Sequence, residues 1–321
     1  MASVPPVERK NRPAADGIPR TDISVIVCTK DRPQELRRFL DSLDRQTCLP
    51  DEVVIVDGGA GVETREMVLR QAERGPYPLH YLQTRPGLTR QRNQGVRAAA
   101  GRYLMFFDDD VVLYPRYVEA ARSAFEDRSQ GAVDGVMGRI VNSPHQDAIT
   151  CLFNTLFLLS AQGKGKLKRS GLPSMPSGRL GSQVFIFSGC CMAYSRAVFD
   201  RFAFDEKLTG YGYMEDIDFS SRVSREFKLV YHPEAELEHH PTTFRQHDTA
   251  ALREMMVRHH VYLYRKNMPK TCAHLAAFLW SIFGILAYNT VLSRDPAACR
   301  GILRGLSRGD LGASTSESEV L

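Results

Sequence analysis

Residues 102–112, RYLMFFDDDVV, place three aspartates directly behind an apolar run. A continuous apolar run is typical of a strand that is buried on both faces of a sheet. Three adjacent carboxylates repel one another unless arginines, bulk water or a metal ion compensate their charge. Alternate residues of an extended segment share a side, so Asp108 and Asp110 are predicted to face one pocket. The plainer alternative is that the aspartates form a turn or cap a helix.

The segment around this stretch, residues 23–140, alternates strand-like and helix-like patterns. Three further apolar runs have the same character: ISVIVC (23–28), EVVIVD (52–57) and LHYLQ (79–83). The intervening segments carry apolar residues at helical spacing, and Pro33 suits the first position of a helix. This pattern predicts an α/β fold with a Rossmann-like, mostly parallel sheet that is flanked by helices. Ligands of such sheets bind beyond the carboxyl ends of the strands, where Asp31, Asp57 and Asp108 fall.

Composition divides the rest of the chain. The polar, Pro-rich start predicts a disordered lead-in over residues 1–21, and residues 22–248 are expected to form one large domain. Inside that domain, residues 163–181 (GKGKLKRSGLPSMPSGRLG) predict a mobile basic loop or a solvated loop without function. Residues 249–321 are predicted to be a C-terminal helical region with a polar tail.

Charge and cysteine content bound the class of partner. The net charge of +5 over 321 residues is too small to indicate nucleic acid. Anionic small molecules and an anionic membrane surface suit it equally well. The seven cysteines include no CxxC pair, so we expect free thiols in a reducing, cytoplasmic setting rather than a structural zinc site.

The C-terminal region contains one long apolar segment. Residues 272–292, CAHLAAFLWSIFGILAYNTVL, carry no charge and approach the roughly 20 residues of a membrane span. Basic residues lie on both sides, without the asymmetry that usually orients a span. Three interpretations stay open: a membrane-embedded or interfacial helix or hairpin, a true span, and a buried helix or dimer contact. The first two predict a protein that is peripheral to, or C-terminally anchored on, the cytoplasmic face of the membrane.

A second acidic motif is MEDIDF (214–219), which predicts a helix start because acidic residues suit the positive end of the helix dipole. Glu215 and Asp216 diverge on a helix, so they need not share a role. A carboxylate among other acids can have a raised pKa and act as a general base towards a hydroxyl. Downstream, KLVYHPEAELEHH (228–240) predicts strand, turn and strand. Its two final histidines are either ordinary surface or core residues or a source of one metal ligand.

Four motifs in this order resemble the family 2 inverting glycosyltransferases of the GT-A fold, which move a sugar from a nucleotide diphosphate sugar to an acceptor hydroxyl. The motifs are VIVCTKDRPQELRRFLDSLDRQ (25–46), PDEVVIVDGG (50–59), GLTRQRNQGVRAAAGRYLMFFDDDV (87–111) and FSGCCMAYSRAVFDRFAFDEKLTGYGYMEDIDFSSRV (187–223). The resemblance implies a nucleotide-binding half (22–112) and an acceptor-binding half (113–248). It also implies Mg²⁺ or Mn²⁺ as cofactor and a nucleotide diphosphate sugar as donor, with UDP the commonest.

Carried over residue by residue, the resemblance implies a donor site at the strand ends. Thr29 and Arg32 would line the nucleotide pocket, and Asp57 would accept a hydrogen bond from the base or ribose. Arg92 and Asn93 would lie near the diphosphate, since a guanidinium fork suits phosphate oxygens.

The resemblance also implies a metal site built on the DxD spacing. Asp108 would face the ribose or donor sugar, and Asp110 would hold the metal. Asp109 between them leaves the choice of ligand ambiguous. His240 would be a further metal ligand, with His239 as the near alternative.

On the acceptor side, the resemblance makes Asp216 the base that deprotonates the acceptor hydroxyl, and Glu215 a residue that orients the acceptor or the base. No QxxRW sequence follows the acidic pair, so transfer of one or a few sugars is expected rather than long-chain synthesis. The basic and apolar C-terminal region suggests a glycan or lipid-linked acceptor in cell-surface polysaccharide or lipid-linked glycan assembly.

Two alternatives from other classes were weighed against this interpretation. A nucleotidyltransferase shares a related sheet, but its Gly- and Arg-rich loop is missing after the first strand, where the sequence is CTKDRPQ. A catalytically inactive membrane-bound scaffold is disfavoured because Asp110 and Asp216 are both present.

Overall fold

The computed structural model describes residues 21–308, apart from 128, 130, 145 and 242–248. The predicted lead-in and the tail beyond residue 308 lie outside the described residues, except for Thr21. In the described part, the strands β1 to β12 are Ile23–Thr29, Glu52–Asp57, Leu79–Gln83, Tyr103–Asp108, Val111–Leu113, Gly135–Ile140, Ala161–Gly163, Lys166–Leu167, Pro173–Pro176, Ser182–Val184, Cys191–Ser195 and Leu229–His239. The helices α1 to α9 are Pro33–Leu43, Glu63–Arg74, Leu88–Ala98, Tyr117–Glu126, Ala148–Leu156, Glu215–Val223, Thr249–Asn267, Cys272–Ala287 and Pro296–Arg308.

A large central sheet has the strand order β10-β12-β6-β11-β4-β1-β2-β3, with β5 paired to β12. Strands β4, β1, β2 and β3 are parallel neighbours, and helices connect them. Because such connections place helices on both faces, the strand side chains are buried on both sides. Val25, Val54 and Leu104 accordingly have no exposed surface. The predicted α/β fold with a mostly parallel sheet is confirmed.

The helix α1 shows how local sequence positions this core. Its buried face carries Leu36, Phe39, Leu40 and Leu43, the i, i+3, i+4, i+7 spacing of one helix face. Pro33 occupies the first turn, where its missing N–H has no intrahelical partner to lose. Because β1, β2 and β4 run parallel, their carboxyl ends lie together at one edge of the sheet, beside α1.

A strand from far along the chain completes this edge. β11 pairs antiparallel with β4, with Cys191 opposite Phe107 and Ser195 opposite Tyr103. The residues before β11 consequently lie beside Asp108, the last residue of β4. This long-range pairing brings Gly189 to the ends of the parallel strands.

The predicted strand, turn and strand at residues 228–240 is wrong. The structure has one strand, β12, whose parallel pairing with β6 shifts register between Tyr231 and Glu236. Pro233 lies inside this shift, where its missing N–H breaks no ladder bond. Because the strand continues past the irregularity, it delivers His239 opposite Val111, next to the acidic triplet.

The segment 163–181, predicted as a mobile loop, is partly ordered into a second sheet of β7, β9 and β8. Ser170 and Leu172 are buried. The hydroxyl of Ser170 donates to the Leu158 carbonyl at 2.7 Å, and the carbonyl of Ser170 lies 2.9 Å from Nε2 of His260. Pro, Gly and Ser composition did not reveal these long-range contacts. Mobility of this segment stays a prediction.

The C-terminal helices pack on the α/β part of the chain, and the predicted domain boundary at residue 248 stays a prediction. Lys266 on α7 contacts Asp205 at 2.6 Å and the buried Asp218 of α6 at 3.0 Å. The helices α7, α8 and α9 share an apolar cluster that includes Val261, Phe278 and Ile302. A single π-helical turn, Tyr288–Leu292, continues α8. Among the described helices, Cys272–Leu292 is long and apolar enough to cross a membrane.

Candidate active site

The acidic triplet at the end of β4 does not act as one unit. Asp109 points into the protein, where it accepts hydrogen bonds from the Thr29 hydroxyl at 2.7 Å and from Nη1 of Arg32 at 2.6 Å. Burial raises the pKa of Asp109 to about 7, although Arg32 and Thr29 act in the opposite direction. Asp109 therefore anchors the strand end and is not open to a ligand.

Asp110 faces the pocket with two cationic neighbours. Nη2 of Arg32 donates to its Oδ2 at 2.7 Å, and Nε2 of His239 lies 3.1 Å from its Oδ1. Burial alone would raise the pKa of Asp110, but His239 and Arg32 together hold it below its ordinary value. Burial likewise opposes the charge of His239, yet contact with Asp110 raises the pKa of that ring to about 11.

Asp108, Asp110 and His239 form a cluster whose ligand atoms all lie within 4.8 Å of one another. Oδ1 of Asp110 is buried and lies against the His239 ring, 3.1 Å from its Nε2, without a well-aligned hydrogen bond, so a cation that replaces the ring proton could bind between them. Two carboxylates and one imidazole are donors that Mn²⁺ and Mg²⁺ accept, with coordination positions left for water and phosphate. The residues present fit a divalent metal ion.

The metal role predicted for His240 is corrected by this geometry. The backbone N–H of His240 donates to the Asp110 carbonyl at 2.9 Å, but its ring turns away and lies 3.0 Å from Glu238. Adjacent residues of an extended strand point to opposite sides, so only one of the two histidines can face the triplet. That one is His239, the alternative considered from the sequence.

Arg92 on α3 links the acidic triplet to the acidic start of α6. It is buried, forms an ion pair with Glu215 and lies 3.3 Å from Asp108. Nη2 also donates to the Gly189 carbonyl at 3.1 Å. A side chain at Gly189 would collide with this guanidinium, since its Cβ would lie 2.8 Å from Nη2. Gly189 is thus required for the close approach of the two acidic runs.

The two acids at the start of α6 have different surroundings. Glu215 is buried against Arg92; burial raises the pKa of Glu215, and the charge of Arg92 acts in the opposite direction. Asp216 is only half-buried and is held by backbone N–H groups, from Gly189 to Oδ2 at 2.7 Å and from Ile217 to Oδ1 at 2.8 Å. Burial also raises the pKa of Asp216. Asp216 is the acid of the pair that faces the pocket, fixed in place without a cationic side chain.

Residues 24–202, more than half of the chain, match the family described as "Glycosyl transferase family 2". The chain belongs to glycosyl transferase family 2. It is 31% identical over 105 residues to the "Uncharacterized glycosyltransferase YwdF" of Bacillus subtilis, and 34% identical over 103 residues to a "PGL/p-HBAD biosynthesis glycosyltransferase" of Mycobacterium bovis. These matches cover 32% of this chain and 38% and 40% of the two relatives, respectively.

Solved structures share the fold of this glycosyltransferase over most of its length. The mannosyltransferase PcManGT from Pyrobaculum calidifontis, solved with GDP-Man and Mn²⁺, has a TM-score of 0.53 at 20% identity, covering 93% of this chain and 79% of the other. GalNAc-T7, solved with UDP, GalNAc and Mn²⁺, has a TM-score of 0.57 at 16% identity, covering 88% of this chain and 59% of the other. These likenesses confirm the GT-A fold predicted from the sequence.

Most of the residues predicted for the site lie together at the ends of β1 and β4 and the start of α6, joined by hydrogen bonds and ion pairs. They are Thr29, Arg32, Arg92, Asp108, Asp109, Asp110, Glu215 and Asp216. The structure does not bring Asn93 there, since its amide donates to the Phe204 carbonyl and to Glu206, both at 3.0 Å. Asn93 braces the segment before α6 and has no open face toward a diphosphate.

Asp57 lies at the end of β2, as predicted, but has no exposed surface. Its oxygens accept hydrogen bonds from the backbone N–H of Gly59 at 2.7 Å and from the Tyr81 hydroxyl at 2.8 Å. A direct contact between Asp57 and a nucleotide base stays a prediction, and it requires rearrangement of the loop at Gly59.

Tyr211 is a site residue that the sequence reasoning missed. Partial burial raises the pKa of Tyr211, and the negative charges of Asp108 and Asp110 raise it further, so this exposed side chain is within electrostatic reach of the acidic cluster. The glycines on either side, Gly210 and Gly212, have φ angles of 65° and 68°, a region that glycine adopts without steric cost. The repeated Gly–Tyr spacing of GYGY ahead of the acidic pair is the signal that could have revealed it.

Proposed function

We propose that this protein is a metal-dependent inverting glycosyltransferase that moves one sugar from a nucleotide diphosphate sugar to an acceptor hydroxyl. One observation carries the proposal: Arg92 contacts Asp108 of the Asp108–Asp110–His239 cluster and also the Gly189 carbonyl, and the N–H of Gly189 holds Asp216. A donor diphosphate at the cluster and an acceptor hydroxyl at Asp216 would then meet across the reacting carbon. The geometry thus supports a displacement in which the attacking and leaving oxygens occupy opposite sides.

In this mechanism, Asp108, Asp110 and His239 would hold the metal ion, which neutralises the negative charge that develops on the departing diphosphate. Asp216 accepts the acceptor proton while the acceptor oxygen bonds to the anomeric carbon and the bond from that carbon to the diphosphate breaks. Inversion follows from attack on the opposite face. The raised pKa of Asp216 strengthens it as a base.

Glu215 and Arg92 act on the reaction through position and charge. Their buried ion pair holds α6 against α3, and the contact of Arg92 with Asp108 keeps the cluster carboxylate aimed into the pocket. Removing either partner leaves an uncompensated buried charge. We assign Glu215 to positioning Arg92, and through it Asp108, rather than to the acceptor.

We propose a UDP sugar as the donor and Mn²⁺ or Mg²⁺ as the cofactor. The two structural neighbours described above, one solved with GDP-Man and one with UDP, both contain Mn²⁺. They support the donor class without distinguishing the base. The acceptor we propose is a glycan or a lipid-linked intermediate in cell-surface polysaccharide or lipid-linked glycan assembly, reached from the cytoplasmic face of a membrane.

Membership of glycosyl transferase family 2 argues against the nucleotidyltransferase alternative. The inactive-scaffold alternative is tested together with the proposal. Thermal shift of the full chain with UDP, GDP, TDP, CDP and ADP, each with Mn²⁺ and with chelator, should show metal-dependent stabilisation by one nucleoside diphosphate. A folded protein that responds to none of the five would favour the scaffold.

A second arm of this experiment tests chemistry. The matching nucleotide sugar should be consumed with inversion at the anomeric carbon, as read by NMR of the product. Retention of configuration would exclude Asp216 as the base of a single displacement.

A further inference from the structure

The helix α5, Ala148–Leu156, is apolar and uncharged, yet none of its residues is buried. Ile149, Leu152 and Leu156 are 76%, 70% and 58% exposed. Helices of this composition normally lie in a protein core or against lipid, since exposing such side chains to water forfeits the hydrophobic stabilisation.

The helix α8 has two different sides. Phe278 and Ile282 pack inward in the cluster shared with α7 and α9. On the outer side, Leu279, Trp280 and Phe283 are 56%, 42% and 54% exposed. Exposed single apolar residues are ordinary, but a contiguous patch of this kind marks an interaction site.

These two exposed faces are joined into one. Nε1 of Trp280 donates to the Leu156 carbonyl at 2.7 Å, and the Trp280 ring stacks on Phe157 with ring centroids 5.0 Å apart. Phe153 and Tyr288 are in edge contact at 5.8 Å. We name the exposed side chains of Ile149, Leu152, Leu156, Leu279, Trp280 and Phe283 the α5–α8 surface.

The charges around the α5–α8 surface indicate what it binds. Residues 148–163 and 271–293 contain no Asp, Glu, Lys or Arg. The first stretch leads into the exposed Lys164, Lys166 and Arg169, and Arg294 follows the second. The acids at the borders, Asp147 and Asp295, each cap the helix that follows. An apolar centre with a basic border complements a bilayer that has anionic headgroups.

We propose that the α5–α8 surface docks on an anionic lipid bilayer, with α5 and α8 lying along the interface and their exposed side chains inserted at the boundary of headgroups and acyl chains. A span is disfavoured because one side of α8 is already packed on α7 and α9, and because the buried Asn289 is bonded to the Ile285 carbonyl at 2.7 Å. Trp280 has the amphipathic ring that favours such interfaces.

The α5–α8 surface is close to the reaction. Phe153 and Phe157 pack against an apolar cluster that includes Met214 and Ile217, the residues on either side of Glu215 and Asp216. A docked bilayer would therefore lie against the same apolar cluster that holds the neighbours of the base, which suits a lipid-linked acceptor. This consequence, though not vesicle binding itself, rests on the proposed function.

The chain supplies its own probe, because Trp280 is its single tryptophan. Full-length protein would be mixed with zwitterionic vesicles and with vesicles that contain phosphatidylglycerol, and both Trp280 emission and flotation would be recorded. We expect a blue shift, quenching by acyl-brominated lipid, and stronger binding to the anionic vesicles. The same titration of Ile149→Ser/Leu152→Ser should show at least about tenfold weaker binding.

A matched control is Val62→Ser/Leu180→Ser, which changes two side chains that are 63% and 85% exposed outside the surface. It should bind vesicles as the natural protein does. The proposal is overturned if the natural protein binds neither vesicle, if the control loses binding equally, or if the surface variant binds unchanged. If the natural protein binds no vesicles but sediments as a dimer, and only the surface variant is a monomer, the surface is occupied by a second copy of the chain.

Thermal shift by nucleoside diphosphate with Mn²⁺ separates this inference from the proposed function. The surface variant should retain the full donor-dependent shift. If every form lacks that shift but the vesicle result stands, the proposed function fails and the docking surface does not.

Discussion

At the end of β4, Arg32 binds two neighbouring carboxylates, Asp109 and Asp110, side by side. At the start of α6, Arg92 binds Glu215 and leaves Asp216 to backbone N–H groups. In the first acidic run, Asp108 to Asp110, each carboxylate has a cationic side chain close to at least one of its oxygens. The second acidic run, Glu215 and Asp216, has a cationic side chain on Glu215 only, and burial raises the pKa of both acids.

The difference shows how adjacent like charges are divided between structure and chemistry. In each run one carboxylate serves the fold, Asp109 through Thr29 and Arg32, and Glu215 through Arg92. The remaining carboxylates face the pocket. Asp109 and Asp110 lie in the turn between β4 and β5, where Arg32 holds one oxygen of each. At the start of α6, the helix rotates successive side chains by about a quarter turn and so separates Glu215 from Asp216.

The largest expected effect is on Asp216, because only this acid of the second run faces the pocket. Asp216→Asn keeps the size of the side chain but removes the base, and its amide oxygen can accept only one of the two backbone N–H groups. Transfer should fall by about 10³-fold or more. Donor binding, followed by thermal shift with Mn²⁺, should change little, since a base acts in the chemical step. Equal loss of donor binding and of transfer would move Asp216 to a structural role.

The next largest expected effect is on metal dependence, and it comes from comparing Asp110 with Asp109 in the first acidic run. Asp110→Ala should abolish the Mn²⁺ dependence of donor affinity, a larger loss than the roughly 10–100-fold that outer-shell changes produce. Asp109→Asn is the matched control, since its side chain points inward, and it should keep the metal dependence while losing stability. Calorimetric titration of Mn²⁺ with nucleoside diphosphate distinguishes them. Loss of the metal response in Asp109→Asn alone would reverse the assignment.

The first half of the molecule was predictable because its signals are local. The apolar runs of β1, β2 and β4 and the spacing of α1 each follow from short-range pattern, and the aspartates at the strand ends follow from the sheet. The choice between His239 and His240 could not be predicted from short-range pattern. It depends on a register shift inside β12, which is fixed by the pairing of β12 with β6. Asn93 was likewise misplaced because its partner, the segment at Phe204, is distant in sequence.

The later half was less predictable for the same physical reason. The strands within residues 163–181 are held by contacts such as Ser170 to His260, which are 90 positions apart. The exposure of α5 becomes meaningful only once α8 is found beside it. Composition identified residues 272–292 as apolar but gave no indication of which side of that helix is packed.

The next largest expected effect is on the stability of the fold, and it comes from Glu215 in the second acidic run. Glu215→Gln removes the nearest negative charge of the buried Arg92 and leaves the more distant Asp108 and the Gly189 carbonyl as its partners. It should lower the free energy of unfolding by about 3 kcal/mol. Urea denaturation measures this loss. The double variant Glu215→Gln/Arg92→Met removes both charges, and should recover much of it because no unpaired charge is left buried. A single variant as stable as the natural protein would show that the pair contributes nothing net.

The smallest expected effect is on the packing of α7 behind the second acidic run, Glu215 and Asp216. Acid pH should weaken this packing. On α7, His259 lies 3.1 Å from the Tyr213 carbonyl and His260 lies 2.9 Å from the Ser170 carbonyl. Burial lowers the pKa of both rings from 6.5 to about 4. The folded protein thus holds them neutral, while the unfolded chain binds protons once the pH falls below 6.5. Their contribution is complete above that pH and is lost as the pH falls toward 4.

Each histidine should therefore cost about 1 kcal/mol of unfolding free energy at one pH unit below its ordinary pKa. Urea unfolding of the natural protein and of His260→Gln, each at neutral and mildly acid pH, measures the contribution. The glutamine keeps a donor for the Ser170 carbonyl but does not titrate. The loss of unfolding free energy between neutral and mildly acid pH should therefore be about 1 kcal/mol smaller in His260→Gln than in the natural protein. An identical pH response in the two proteins would mean that His260 is not held neutral, and that α7 supports the second acidic run without any dependence on its protonation.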